Sequence, residues 1–256
     1  MGLKKQESKP KRVHLELFLY DKSVFAFVAF FAFAIWAFWT SYYGKLTEDM
    51  AAAKHLHGIA MTLWCVMLIG QALLIRLKKN KIHKLTGKLS YIIVPVILAT
   101  GAHLAHITVS EMEAGTPLYY YWIALMFNSL LVFALLYGLS MWHRKKPLTH
   151  ARFMVCTIFP LFTPITDRLI YKYFEELIPL VPVLDGMPLV QLIGFAVADI
   201  LLVTLFFWDW RAHKRLDVFP VVILVMGLFQ LSVVTFYKFA FWKQIGDWIM
   251  SLPLSA

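Results

Sequence analysis

The sequence predicts an all-α, polytopic membrane protein: a bundle of seven transmembrane helices, N-in and C-out. Hydrophobic residues make up 60% of the chain, charged residues 16%, and the mean hydropathy is +0.67. A soluble domain of this size does not bury so much apolar surface. Seven apolar stretches follow one another, and each has the roughly 20 residues needed to cross about 30 Å of hydrocarbon.

The orientation follows from the positions of the basic residues. With the N-terminus in the cytoplasm, most of the 25 Lys and Arg residues fall on the inner side, in the tail and in 76–88, 144–152 and 211–215. The outer side keeps six of them: Lys45, Lys54, Arg168, Lys172, Lys238 and Lys243. Because cytoplasmic loops are enriched in Lys and Arg, this bias predicts N-in, C-out. The net charge of +10 therefore reflects the membrane topology, together with attraction of the basic residues to anionic lipid headgroups. We expect no nucleic-acid partner.

Two segments are predicted along the chain. Residues 1–22 form a polar cytoplasmic tail that ends in an interfacial stretch, and residues 23–256 form the transmembrane domain. The predicted spans cover residues 24–43, 57–75, 89–109, 118–142, 153–171, 189–208 and 218–242. Pro160 and Pro164 are expected to break the fifth span, because proline removes a backbone donor from a helix.

Four histidines are the main chemical signal. His55 and His57 open the second span, and His103 and His106 close the third. The short loop between these spans predicts an antiparallel hairpin, which places all four imidazoles at its outer end. Neutral imidazole binds zinc, copper, iron or haem iron, so a metal ion or haem b is the expected cofactor. Carboxylates of Glu111, Glu113 and Asp167 are expected to orient these imidazoles.

A second set of histidines, His83, His143, His150 and His213, lies at the opposite surface among Lys and Arg. We expect them to cap helix ends, with an inner haem on His83 and His150 as the alternative. Asp199 lies near the middle of the sixth span. Because a carboxylate at that depth is costly, we expect it to serve a proton relay or a polar core with Asn128, Gln71 and Gln230.

Three motifs carry a resemblance, and they occupy about residues 50–170. They are His55-x-His57-Gly58 with Trp64 and Gln71, His83-Lys-x-x-Gly87-Lys-x-Ser-Tyr91, and His150-Ala-Arg-Phe-Met154 with Asp167-Arg168. The pattern resembles bacterial multi-span membrane proteins grouped as domains of unknown function. Some of these are distantly similar to cytochromes of the b561 kind or to assembly factors of haem–copper oxidases. The resemblance implies a bacterial inner (plasma) membrane location.

The predicted function is that of an inner-membrane protein with a histidine-rich metal or haem site at the outer face. It would be redox-related or accessory to respiratory enzymes, with the lipid bilayer and a membrane complex as partners. A metal-free structural or assembly subunit of a membrane complex is the first alternative. A metal-dependent membrane hydrolase or a transporter is the second, although no His-Glu-x-x-His or nucleotide-binding glycine loop is present.

Overall fold

The computed structural model describes residues 22–254, and helices dominate this range. Ten α-helices occur in it: α1 (Ser23–Ala37), α2 (Ala52–Arg76), α3 (Asn80–Thr86), α4 (Ser90–Ser110), α5 (Pro117–Trp142), α6 (Pro147–Cys156), α7 (Phe162–Tyr173), α8 (Gln191–His213), α9 (Phe219–Thr235) and α10 (Ala240–Ser251). A small hairpin, β1 (Val183–Leu184) and β2 (Met187–Pro188), precedes α8. The predicted N-terminal tail and interfacial stretch lie outside the described residues, apart from Lys22.

The all-α, multi-pass architecture is confirmed. Six helical segments of the described chain are long and apolar enough to cross a membrane: α2, α3 with α4, α5, α6 with α7, α8, and α9 with the turn that follows it. Helix α1 has 15 residues and is shorter than a typical span. The interruption predicted in the fifth span is present, because Pro160 lies in the 3-10 turn Phe159–Leu161 between α6 and α7.

The predicted hairpin of the second and third spans is also present. Helices α2 and α4 pack along each other, and Trp64 of α2 is fully buried beside Ile97 of α4 and Phe133 of α5. The rings of Trp64 and Phe133 meet edge-on with centroids 5.3 Å apart. A second apolar core surrounds α5 and joins it to α8 and α9 through Leu136, Leu202 and others.

The chain after α9 differs from the prediction. The last span was expected to continue to residue 242, but α9 ends at Thr235, a 3-10 turn covers Phe236–Lys238, and Phe239 is extended. The chain then turns into the 12-residue helix α10, which is amphipathic and buries Trp242 and Gly246. Hydrophobicity alone does not separate an interfacial helix from the end of a span.

The bundle has two ends, which we name by their histidines. At the His57 end α2, α5 and α8 begin, and α1, α4, α7 and α9 finish. Helix α10 lies there too, since the Trp242 indole N–H donates to the Tyr120 carbonyl over 3.1 Å. At the His83 end the opposite termini meet, and Arg76 at the end of α2 lies over the ring of Phe25 near the start of α1.

Candidate functional site

The first histidine pair contacts its neighbours in different directions. His57 Nδ1 lies 3.1 Å from the Thr100 hydroxyl of α4, so α2 and α4 are linked at this point. The ring of His55 instead packs edge-on against Tyr42, with centroids 5.9 Å apart. The two-residue spacing on a helix turns the two side chains apart.

The second pair holds the C-terminal helix. His106 Nε2 lies 3.2 Å from the Met250 carbonyl, and His103 Nδ1 is within hydrogen-bonding distance of the Leu254 carbonyl. A carbonyl only accepts, so each of these ring nitrogens donates. The Met250 carbonyl belongs to the last turn of α10, whose carbonyls have no intrahelical donor, whereas Leu254 lies three residues beyond the end of the helix. His106 therefore caps the end of α10, and His103 holds the segment that follows it.

The four histidines are thus engaged within the chain. Between residues 22 and 254, no group of three or more His, Cys, Asp or Glu side chains is arranged to hold a metal ion. Glu111 and Glu113 are exposed at the loop after α4, and Asp167 lies in a separate cleft described below. Metal or haem binding at His55, His57, His103 and His106 stays a prediction.

Asp199 has one of the partners that the sequence suggested. Gln230 Nε2 donates to Asp199 Oδ1 over 2.8 Å and joins α8 to α9. The pair lies at an open cleft of about 450 Å³, lined also by Ala196 and Leu231, and not in the bundle interior as expected. Leu231 is 52% exposed, so this cleft faces the surroundings of the bundle.

The other predicted polar-core residues lie elsewhere. Asn128 of α5 donates to Ser232 of α9 over 2.9 Å. Gln71 lies at the His83 end, where its amide oxygen accepts from Thr86 Oγ1 over 2.8 Å and its nitrogen lies 2.6 Å from His83 Nδ1. The predicted group of four therefore separates into three local contacts.

The His83 end joins residues from all three sequence motifs. Beyond the Gln71 contact, Ser90 Oγ lies 2.8 Å from the Tyr137 hydroxyl, and Ser140 Oγ lies 2.9 Å from His150 Nδ1. His150 is close enough to His83 for the two to interact electrostatically. These bonds tie α3, α4 and α6 to α2 and α5.

A buried ion pair at this end was missed from the sequence. Arg152 of α6 donates to Asp209 of α8 through Nε (2.9 Å) and Nη2 (2.7 Å), and their side chains are 0% and 2% exposed. His213 Nδ1 lies 3.0 Å from the same carboxylate. The signal was available, because Asp209 and His213 are spaced four apart and share a helix face.

A polar cleft of about 330 Å³ opens at the His57 end, between α1, α5, α7 and α8. Three residues that line it each carry a buried polar atom with no hydrogen-bond partner among residues 22–254: Trp122 Nε1, Asp167 Oδ1 and Gln191 Nε2. Gln191 is 1% exposed, and its amide oxygen accepts from the Tyr121 hydroxyl over 3.1 Å. Arg168 and Lys172 supply positive charge to the same walls.

Comparison of the chain with protein-family models, with curated proteins and with solved structures gave no match.

Proposed function

We propose that the protein is a subunit of a larger complex in the bacterial inner membrane, with a structural or assembly role. In this proposal the cleft between α8 and α9 receives a transmembrane helix of a different protein. The observation that carries it is the Asp199–Gln230 hydrogen bond, a polar pair on the open side of two apolar spans.

The proposal uses the predicted topology of seven spans, N-in and C-out. Helix α1 is the seventh span in addition to the six longer ones. Its 15 residues rise about 22 Å at 1.5 Å per residue, which a membrane accommodates by local thinning and by interfacial anchors. Trp36 at its end packs against Tyr173, with ring centroids 5.1 Å apart, and such aromatic groups favour the membrane interface.

The depth of the pair makes lipid an unfavourable neighbour. Asp199 and Gln230 lie well inside spans with mean hydropathies of 2.0 and 2.2. Ionisable and amide groups at such depth face protein or water in nearly all membrane proteins. One hydrogen bond uses one of two amide N–H groups and one of several acceptor positions on the carboxyl group. The pair therefore keeps capacity for a further polar partner.

The chemistry of the cleft defines that partner. A helix that passes over Ala196 and Leu231 presents an apolar surface there. At the level of Asp199 it presents a hydrogen-bond donor, such as an Asn, Gln or Lys side chain. Interhelical hydrogen bonds in membranes contribute about 0.6 kcal/mol on average and up to about 2 kcal/mol. Such a contact selects the register of a partner helix as well as adding affinity.

Photo-crosslinking from the cleft tests the proposal. A benzophenone-bearing residue replaces Ala196 in the cleft, and in a control protein it replaces Leu131, which is 66% exposed on α5. We expect a discrete adduct in native membranes from position 196 and none from position 131. Adding Asp199→Leu to the position-196 protein should remove most of that adduct.

Three results would overturn the proposal. Equal adducts from both positions would show random contact, and no adduct from position 196 would leave lipid as the occupant. An adduct of twice the mass of the chain would identify a second copy in place of a different protein.

A further inference from the structure

A second cleft, the polar one at the His57 end, is lined by residues different from those of the α8–α9 cleft. We propose that it binds the headgroup of a lipid that carries a primary ammonium group beside a phosphate, as in phosphatidylethanolamine. The proposal rests on the three unpartnered polar atoms, on the charges around them and on the position of the cleft.

The three unpartnered atoms determine which hydrogen-bonding groups a ligand needs. Asp167 Oδ1 only accepts when the carboxyl group is ionised, whereas Trp122 Nε1 and Gln191 Nε2 only donate. A ligand that satisfies all three carries a hydrogen-bond donor and acceptor oxygens. Buried polar atoms without partners cost about 1–3 kcal/mol each in proteins, so three beside one cleft favour the binding of a polar ligand there.

The side chains that carry these atoms are held in place by their neighbours. The Tyr121 hydroxyl donates to the Gln191 amide oxygen and so orients the amide nitrogen. The Gln191 side chain lies close enough to the Asp167 carboxyl group to interact with it, although neither Gln191 Nε2 nor Asp167 Oδ1 has a hydrogen-bond partner of standard geometry among residues 22–254. The two groups therefore lie side by side in the wall of the cleft.

The charges favour a zwitterion over a simple cation or anion. Arg168 lies over the ring of Phe38, with its guanidinium carbon 4.2 Å from the ring centroid, and donates to the Pro164 carbonyl over 2.8 Å. These contacts hold its positive charge beside the cleft, and Lys172 adds a second. A phosphate fits this side, and an ammonium group fits Asp167 through charge-assisted hydrogen bonds.

The position of the cleft favours a lipid as the source. Its walls include Thr40 and Ser41 just after α1 and Tyr171 and Lys172 near the end of α7. Segment ends of this kind lie at the level of lipid headgroups when a bundle spans a bilayer. A headgroup therefore reaches the cleft while its acyl chains stay against the outer surface of the bundle.

Lipid retention measured by native mass spectrometry tests this assignment. The full chain is incubated in detergent with equimolar phosphatidylethanolamine and phosphatidylcholine of identical acyl chains. The two differ only at nitrogen, because a trimethylammonium group has no N–H to donate. We expect about tenfold more bound phosphatidylethanolamine, and we expect phosphatidylglycerol, which lacks the cation, to bind less than phosphatidylethanolamine.

Two variants and one control locate the effect. Asp167→Asn keeps the shape but removes the charge, and should bring the ratio of the two lipids close to one. Trp122→Phe keeps a ring but removes an N–H, and should lower retention of both lipids several-fold. Asp49→Asn makes the same chemical change in an exposed loop and should leave the ratio unchanged.

The outcomes separate the lipid from other occupants. If the unaltered chain binds phosphatidylethanolamine and phosphatidylcholine equally, water fills the cleft. If the preference for phosphatidylethanolamine survives Asp167→Asn, the lipid binds elsewhere. Either result overturns the proposal. Soluble phosphoethanolamine that displaces the lipid at micromolar concentration would assign the cleft to a free zwitterion and would equally overturn the lipid assignment.

Discussion

The two ends of the bundle differ in how their buried polar side chains around α6, α7 and α8 are paired. At the His83 end they pair with each other across helices, as in the bonds Arg152–Asp209, Ser90–Tyr137 and Ser140–His150. At the His57 end, Asp167 and Gln191 keep buried atoms without partners beside an open cleft. Paired polar groups fix helix positions, whereas unpaired ones favour the binding of another molecule. We therefore expect the buried ion pair of the first end to contribute mainly to stability, and the cleft of the second end to bind another molecule.

The largest effect should come from the buried ion pair. Arg152→Met leaves Asp209 without its bidentate donor, and breaking a buried pair costs about 3–5 kcal/mol. The free energy of unfolding in detergent measures this loss. Arg211→Met makes the same chemical change at an exposed position of α8, the helix of Asp209, and should cost less than about 0.5 kcal/mol.

The double variant sharpens this result. If the cost arises from an uncompensated charge, then Arg152→Met with Asp209→Leu should be more stable than Arg152→Met alone. If the free energy of unfolding of the double variant falls by the sum of the two single effects, the stability comes from other contacts of these side chains.

The next effect concerns close helix packing at the His57 end. A Cβ atom at Gly194 of α8 would lie 2.3 Å from Thr166 Oγ1 and 3.1 Å from Thr163 Cα of α7. Gly194→Ala should therefore lower the free energy of unfolding by about 1–3 kcal/mol. Gly138→Ala in α5 has nothing within 4 Å and should stabilise the helix by about 0.5–1 kcal/mol. Equal effects at both sites would remove the packing argument.

The histidine contacts with α10 and with the segment after it should have a smaller effect. Replacing His103 and His106 with Ala removes two hydrogen bonds, each worth about 0.5–1.5 kcal/mol. Helix α10 should then be cleaved faster by protease at its exposed residues, such as Trp248, which is 62% exposed. His83→Ala, at the other end, should leave cleavage of α10 unchanged.

Elemental analysis of the same proteins separates the cap from the metal hypothesis. A stoichiometric metal in the unaltered chain that disappears in the double variant would support the predicted histidine site. It would also place chemistry, and not only recognition, at the His57 end.

The smallest effect should be a loss of stability at low pH. Arg215 Nε donates to Asp217 Oδ1 over 3.1 Å, and this bond holds the pKa of the Asp217 carboxyl below its usual 3.8. Stability from the ionised form is therefore present above pH 3.8 and is lost as the pH falls through the lowered pKa. The side chain is 44% exposed, so the loss should stay below about 1 kcal/mol. Unfolding of Asp217→Asn should lack this component between pH 5 and pH 2, and an unchanged pH profile would refute the assignment.

The sequence predicted what depends on local patterns. Apolar segments of span length predicted the helices, and the short basic loop predicted the α2–α4 hairpin. Pro160 predicted the interruption between α6 and α7. Each of these follows from neighbours along the chain. The cofactor, the orientation and the partners remain predictions.

What the sequence left open depends on contacts between distant helices. The predicted last span ran on to Trp242 and so included the first three residues of α10. The contact that separates this helix from the span, between Trp242 and Tyr120, joins residues 122 positions apart. The four-residue spacing of Asp209 and His213 was visible in the sequence, but the pairing of Asp209 with Arg152 was not, because these two residues lie 57 positions apart. The four histidines did share one end, but His103 and His106 reach carbonyls about 150 residues further on, which no spacing rule indicates.

Mass measurement of the protein extracted with its own membrane into polymer-bounded discs tests the central claim most directly. The chain alone has a mass of 29.6 kDa. Our account predicts particles that contain this chain together with a different membrane protein, and it predicts that Asp199→Leu releases the chain from them. Particles that contain only this chain, alone or in multiples, with or without the substitution, would contradict the account.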